Sequence, residues 1–301
     1  MYYHLSDGYA TPETEARGNY YAIYYIPDCW FDGWDNYVGG PPNVKSIYQE
    51  KINTHLGDPS PLIMDIQGGF FDIVNGRVDV HIEVAESFTE TNLRLRTVLW
   101  ENGLGIYNLT VRDILPVVIP SISDVGDTLT TSWDFTLDAT WKPNNMGIGA
   151  FVQSDNNKMV LQACRWDIPD MMIIGEVDDP VVTRGGTLGY TTTVANVNST
   201  EQVTLDAWGD VTKPDGNPYQ GNPVVGPQRV SLNPQASKSK HLAHKIPNMA
   251  PLGTYTYTLK LGTYPDEVTH EYSFEFTITE GSGFGRDSDG WELIEGDFFA
   301  Y

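Results

Sequence analysis

Cysteine is almost missing from this sequence: Cys29 and Cys164 are the only two among 301 residues. They lie far apart and match no metal-ligand spacing, so a zinc-finger pattern and a Cys-x-x-Cys pair are both excluded. One Cys29–Cys164 bridge remains open as an arrangement in an oxidising compartment. Positive charge is scarce as well. Lys and Arg number 18 against 40 Asp and Glu, a formal charge of −22. Phosphate backbones are repelled by such a chain, so no nucleic-acid partner is expected, and anionic membrane surfaces are disfavoured for the same reason. No apolar run reaches the roughly 18–20 residues that cross a bilayer as a helix, so no transmembrane segment is expected. A basic-then-apolar leader is also missing at Met1, which suits a chain that begins after processing or a fragment of an exported protein.

Reactive motifs are equally sparse. No Gly-x-Ser-x-Gly elbow, Walker loop, Rossmann glycine fingerprint or His-Glu-x-x-His helix occurs. His81 and Glu83 share a strand face, but two ligands do not make a metal site. His241 and His244, near Lys238, Lys240 and Lys245, read as the charged protection of an edge strand. Asp287 and Asp289 in "RDSDG" resemble part of a calcium loop without its later glutamate, so this stretch reads as a linker. The expectation is a protein that is not an enzyme, with no catalytic residue, no cofactor and no metal. The eight tryptophans with 17 tyrosines leave room for a sugar-stacking platform, although aromatics at alternating positions usually fill cores.

What the sequence has in quantity is turn-formers and alternation. With 29 glycines, 19 prolines and only 19% charged residues, the composition suits strands joined by tight turns. Residues 1–57 read as an αβα segment. Thr11-Pro12-Glu13 places an N-cap and an N1 proline before a helix, "AIYYIPDCWFDG" gives a strand interrupted by Pro27 and a turn at Asp32-Gly33, and a second helix is predicted from about Asn43 to Leu56, with Gly57 as its stop. From Pro61 the period becomes two. Val78, Val80, Ile82 and Val84 fall on one face, then Leu93, Leu95, Thr97 and Leu99, then Thr131, Trp133, Phe135 and Leu137. "IGAFVQ" and "KMVLQAC" form a hairpin about Ser154–Asn157. Half-buried antiparallel strands at short intervals predict a β-sandwich over 58–170. A second set, including "LGYTTTVANV", "QVTLDAWGDV", "GTYTYTLKLG" and "HEYSFEFTITE", predicts an immunoglobulin-like sandwich of about seven strands over 171–280. Residues 281–301 read as a linker and a sticky C-terminal strand carrying Trp291, Leu293, Ile294, Phe298, Phe299 and Tyr301.

Three segments, "TPETEARGNYYAIYYIPDCWFDG", "LRLRTVLWENGLGIYNLTVRDILP" and "IGAFVQSDNNKMVLQAC", resemble the outer-membrane-protein-28-related family of bacterial surface proteins. In that family a thioredoxin-like domain precedes a β-sandwich. The resemblance implies that Ile26-Pro27 occupies the place of the thioredoxin-type cis-proline. The region from Thr183 to Thr279, through "VTRGGTLGYTTTVAN" and "PLGTYTYTLKLGTYPDEV", resembles a β-domain of exported bacterial proteins. The upstream half of the thioredoxin domain, with its cysteine pair, is not in this chain, so thiol–disulfide exchange is expected to be absent.

The sequence therefore predicts a mainly β protein, two antiparallel sandwiches in tandem behind half of a thioredoxin-like layer, at the cell surface or outside the cell. An unpaired sheet edge and a free strand are the two halves of β-strand addition, and Trp291 to Tyr301 folding back onto its own chain is the equal alternative. The leading expectation is a structural subunit that partners itself, as a homo-oligomer or filament. A module that binds cell-surface polysaccharide is the alternative, and a degenerate thiol oxidoreductase the third reading.

Overall fold

The protein is seen here in a computed structural model that describes residues 1–281 and 290–298. Strands take up 51% of the chain and helices 9%, which makes the protein mainly β with several sheets.

The chain opens with α1 (Pro12–Tyr21). Its start follows from a reciprocal cap: the Thr11 hydroxyl accepts from the Thr14 N–H, and the Thr14 hydroxyl accepts from the Thr11 N–H. Ala22 closes it in the left-handed conformation. The Ile26–Pro27 peptide is cis. Two short strands, β1 (Asp28–Phe31) and β2 (Asp35–Val38), form an antiparallel hairpin, and α2 (Val44–His55) follows. The segment is thus αββα, with a two-stranded sheet of its own.

The next seven strands are β3 (Leu62–Phe70), β4 (Asn75–Val84), β5 (Leu93–Glu101), β6 (Thr110–Ile114), β7 (Thr128–Thr136), β8 (Met146–Ser154) and β9 (Val160–Asp167). They make a three-stranded sheet in the order β3-β4-β7 and a four-stranded one in the order β6-β5-β8-β9. The period-two reading holds at side-chain level: Val78, Val80, Ile82 and Val84 are fully buried, as are Leu95, Thr97 and Leu99. Strand β8, between β5 and β9, is buried along its whole length.

Nine further strands are β10 (Met171–Val177), β11 (Val181–Thr183), β12 (Thr187–Asn196), β13 (Val203–Thr212), β14 (Val225–Leu232), β15 (Ala236–Lys245), β16 (Gly253–Thr263), β17 (Glu267–Thr279) and β18 (Glu292–Glu295). One sheet runs β10-β12-β15-β18, the other β11-β17-β16-β13-β14. Their inner faces share one core, in which Ile173, Tyr190 and Leu242 of the first sheet meet Tyr257, Leu259 and Phe276 of the second.

Packing divides the chain into two compact units: Met1–Ile66, Val78–Trp133 and Asn145–Ile168 in the first, and Gln67–Arg77, Asp134–Asn144 and Pro169–Tyr301 in the second. The division differs from a single boundary near residue 170, and side-chain chemistry within the second unit shows why. The Gln67 amide exchanges two hydrogen bonds with the Ser273 backbone, at 2.9 and 3.0 Å, and His270 Nε2 bonds the Gly68 carbonyl at 3.0 Å. Arg77 pairs with Asp134 at 2.7 Å.

Candidate functional site

In the N-terminal segment, three carboxylates converge on one histidine. The β1–β2 turn is tight, with Asp32 and Gly33 at positive φ (45° and 80°). A Cβ at Gly33 would overlap the Lys158 carbonyl, so glycine is required both by conformation and by close approach. This turn presents Asp32 and Asp35 to the last turn of α2, where His55 sits. The chain then doubles back, with Asp58 N–H donating to the His55 carbonyl at 3.0 Å. His55 Nδ1 lies 2.9 Å from Asp58 Oδ2 and 3.8 Å from Asp32 Oδ2, while Nε2 lies 3.3 Å from Asp35 Oδ2. Lys51 Nζ holds the other Asp35 oxygen at 2.6 Å. The Trp34 ring stands edge-on to the imidazole at 5.1 Å, and the His55 side chain is only 7% exposed. The Asp58 hydrogen bond, followed by that to Asp35, raises the His55 pKa above its ordinary value, as expected for a histidine at a helix C-terminus among anions. The Asp35 carboxyl is held low, chiefly by Lys51. The turn and the helix were legible in the sequence, but this convergence was not; a histidine in the last helical turn followed by Gly57-Asp58, opposite an Asp-Gly-Trp-Asp turn, is the signal that was there to be used.

The C-terminal strand is the second place of interest. Strand β18 pairs antiparallel with β15, Lys245 opposite Glu292 and His244 opposite Leu293, with a bulge before Ala243 meets Glu295. Trp291 stands edge-on to His244, Tyr255 and Phe276 at 6.0, 6.4 and 5.7 Å. Phe298 is buried in the core of the second unit, whereas Ile294 is exposed. Of the two arrangements open to this strand, free for a neighbour or folded back onto its own chain, the described part takes the second, because Trp291, Leu293 and Phe298 find apolar cover there. Phe299 and Tyr301, with Asp287 and Asp289, lie outside the described residues.

The reading of His241 and His244 as a charged edge also needs correction. Strand β15 has neighbours on both sides, and the two histidines face opposite ways. His241 is at the surface, 2.9 Å from Asp178 and 3.5 Å from Glu295; the Asp178 hydrogen bond leads in raising its pKa. His244 is fully buried. Its Nε2 and the hydroxyls of Tyr190 and Tyr257 lie 2.8–3.2 Å from one another, and desolvation pushes its pKa down to about 4. Burial raises both tyrosines.

Cys29 and Cys164 are free thiols, so the bridge considered between them is not formed. Desolvation raises Cys29 and pushes Cys164 up to about 11. His81 Nδ1 lies 3.0 Å from the Thr130 hydroxyl. Among the tryptophans, Trp100, Trp133 and Trp208 are buried.

These features define a mainly β protein of sandwich type with a small αββα segment before it. No protein-family model matches the sequence, and no curated protein does. Among solved structures, the chain is similar to HBP35 of Porphyromonas gingivalis, at 12% identity over 92% of this chain and 85% of that one, with a TM-score of 0.42. It is similar over 36% of its length to the CARDB domain of a Pyrococcus furiosus protein in complex with di-metal ions, covering 88% of that domain at 14% identity and a TM-score of 0.26. Red sea bream transglutaminase matches 80% of this chain and 34% of its own at 9% identity, TM-score 0.28. At these values none of the three carries an argument about what this chain does.

Proposed function

We propose that this chain is a non-enzymatic protein of the cell surface or extracellular space that assembles with copies of itself by exchanging its C-terminal strand. The observation that supports the reading is the docking of β18: a four-residue strand at the end of a sheet, held by three register pairs and a bulge, with Trp291, Leu293 and Phe298 set into the core. A strand that closes on its own β15 presents the same face to the β15 of a neighbour, so exchange replaces every contact without new design. Head-to-tail exchange that does not close yields a filament. Free thiols whose pKa is raised by burial are poor nucleophiles, which weighs against the thiol oxidoreductase reading.

Lys245 and Glu292 face each other across β15 and β18, so a Lys245→Cys, Glu292→Cys variant, with Cys29 and Cys164 changed to serine, traps whichever pairing exists. Oxidation at rising protein concentration is expected to give a ladder of covalent oligomers on a denaturing gel. Only intramolecular bridges at every concentration would remove the assembly reading.

One observation favours the alternative of a polysaccharide-binding module. Tyr24 and Tyr25 are 85% and 76% exposed, next to an exposed Ile26, and adjacent solvent-facing aromatics suit the apolar faces of sugar rings. Tyr24→Ala with Tyr25→Ala is then expected to abolish retention on polysaccharide resins; no retention of the unaltered chain on any resin would end this alternative.

A further inference from the structure

We propose that Asp32, His55 and Asp58 form a site for one divalent transition-metal ion of the zinc type, clipping the end of α2 to the β1–β2 turn. Asp35 accepts from His55 Nε2 at 3.3 Å, and Lys51 fixes that carboxylate from its other side at 2.6 Å. Nδ1 lies between two further carboxylate oxygens, 2.9 Å from Asp58 and 3.8 Å from Asp32, so a ring carrying both protons already bonds Asp58 and Asp35. Where a divalent ion replaces the Nδ1 proton, Nδ1 and the two carboxylate oxygens become three lone-pair donors facing one point. A proton on Nδ1 serves a single carboxylate through one hydrogen bond; a metal ion takes a lone pair from all three at once.

Distances agree with this. The three ligand atoms lie within 4.8 Å of one another. Donors on a tetrahedral zinc ion, at bonds of about 2.0–2.1 Å, stand about 3.3–3.4 Å apart. The 2.9 and 3.8 Å separations straddle that value, and small rotations of the half-exposed Asp32 and Asp58 side chains bring both to it. A carboxylate behind the metal-binding histidine is the usual second partner that fixes ring orientation and strengthens the ligand, and Asp35 occupies that place. Charge agrees too. Asp32, Asp35 and Asp58 carry −3 and Lys51 +1, so with neutral His55 the cluster is left at −2, which one divalent ion balances. The imidazole ligand selects zinc and the later transition metals over calcium. With two ligands half-exposed, water completes the shell.

The site has a structural use. No residue of α2 is fully buried, so this helix has little apolar anchorage, and a metal clip supplies what the core does not. The proposal stands independently of strand exchange. To test it, the full chain is titrated with Co²⁺, followed by the visible absorption of tetrahedral cobalt and by calorimetry, then back-titrated with Zn²⁺. One ion per chain is expected, with zinc displacing cobalt. Asp58→Asn, a change at a half-exposed side chain that leaves the fold intact, is expected to weaken binding by at least tenfold, His55→Gln to abolish it, and Asp35→Asn to weaken it about 10–100-fold. Absence of cobalt binding, or binding that the Asp58→Asn variant leaves unchanged, overturns the site. Weak octahedral binding spread over several carboxylates does the same.

Discussion

His55 and His244 are the same side chain in opposite surroundings. The first lies in a segment with little to bury, ringed by Asp32, Asp35 and Asp58, and those carboxylates favour its charged form. The second lies in the sandwich core against Tyr190, Tyr257 and Trp291, where burial favours the neutral form. His270 repeats the second solution with a fixed tautomer: Nδ1 accepts from Ile173 N–H at 3.1 Å and Nε2–H donates to Gly68 at 3.0 Å. Where apolar area is plentiful, polar groups are absorbed into it as neutral partners. Where it is scarce, charges hold the chain, and the region depends on ions.

The largest expected effect tests the neutral pair. His244 and His270 are both pushed down to about 4 from an ordinary value of 6.5. Below pH 6.5 the unfolded chain takes up protons that the folded chain refuses, so stability falls as pH drops and levels off below about 4. Each histidine contributes a slope of about 1.4 kcal/mol per pH unit in that window, or about 3 kcal/mol across it. Urea unfolding of the second unit between pH 7 and pH 4 should show both together, and His244→Phe should halve the slope. An unchanged slope would mean that His244 is protonated inside the fold, and the contrast with His55 would be lost.

Next in size is apolar truncation, which separates the two regions directly. Phe298→Ala and Leu259→Ala remove core side chains that are 5% and 0% exposed, and about 3–5 and 2–5 kcal/mol are expected from denaturant midpoints. Ile52→Ala on α2, where the side chain is 43% exposed, should cost less than about 0.5 kcal/mol. Comparable losses would show that α2 has more apolar cover than its surface position provides. A change of intermediate size tests the turn between the two carboxylates. Gly33→Ala places a Cβ at positive φ against the Lys158 carbonyl, and a loss of about 1–3 kcal/mol is expected in a thermal melt.

Strand alternation carried the fold because a half-buried sheet writes its two faces into neighbouring residues: Val78 to Val84 and Leu93 to Leu99 announce themselves without knowledge of any partner. The same locality made the α1 start readable from Thr11 and Pro12. Contacts between distant residues left no such trace. Nothing local tells His244 that Tyr190 and Tyr257 will share its hydrogen bonds, since that depends on which strands pair and which sheets face. Strand β18 was legible as sticky, but its destination, β15, lies about fifty residues upstream. Asp32, Asp35, His55 and Asp58 come together through a turn and a helix end whose relative placement is a tertiary fact. Even the orientation of His241 and His244, three residues apart on one strand and therefore on opposite faces, becomes informative only once β15 is known to be an inner strand.

That last pair gives the smallest expected effect and the finest form of the comparison. On one strand, the His241 pKa is raised by Asp178 and that of His244 is lowered by burial. A raised value means that the His241–Asp178 pair stabilises the fold below pH 6.5 and that this contribution is lost as pH rises through the folded pKa, the reverse of His244. The side chains are 42% and 52% exposed, so water and salt screen them and less than about 1 kcal/mol is at stake. Stability alone would hardly register Asp178→Asn; the titration of the His241 ring followed by NMR would. Its midpoint should move down toward 6.5, while His244 should remain neutral to about pH 4 in the same spectra. If His241 keeps its raised midpoint, Glu295 at 3.5 Å is the stronger partner, and the returning strand β18, rather than Asp178 before β12, sets the charge on this face of the sheet.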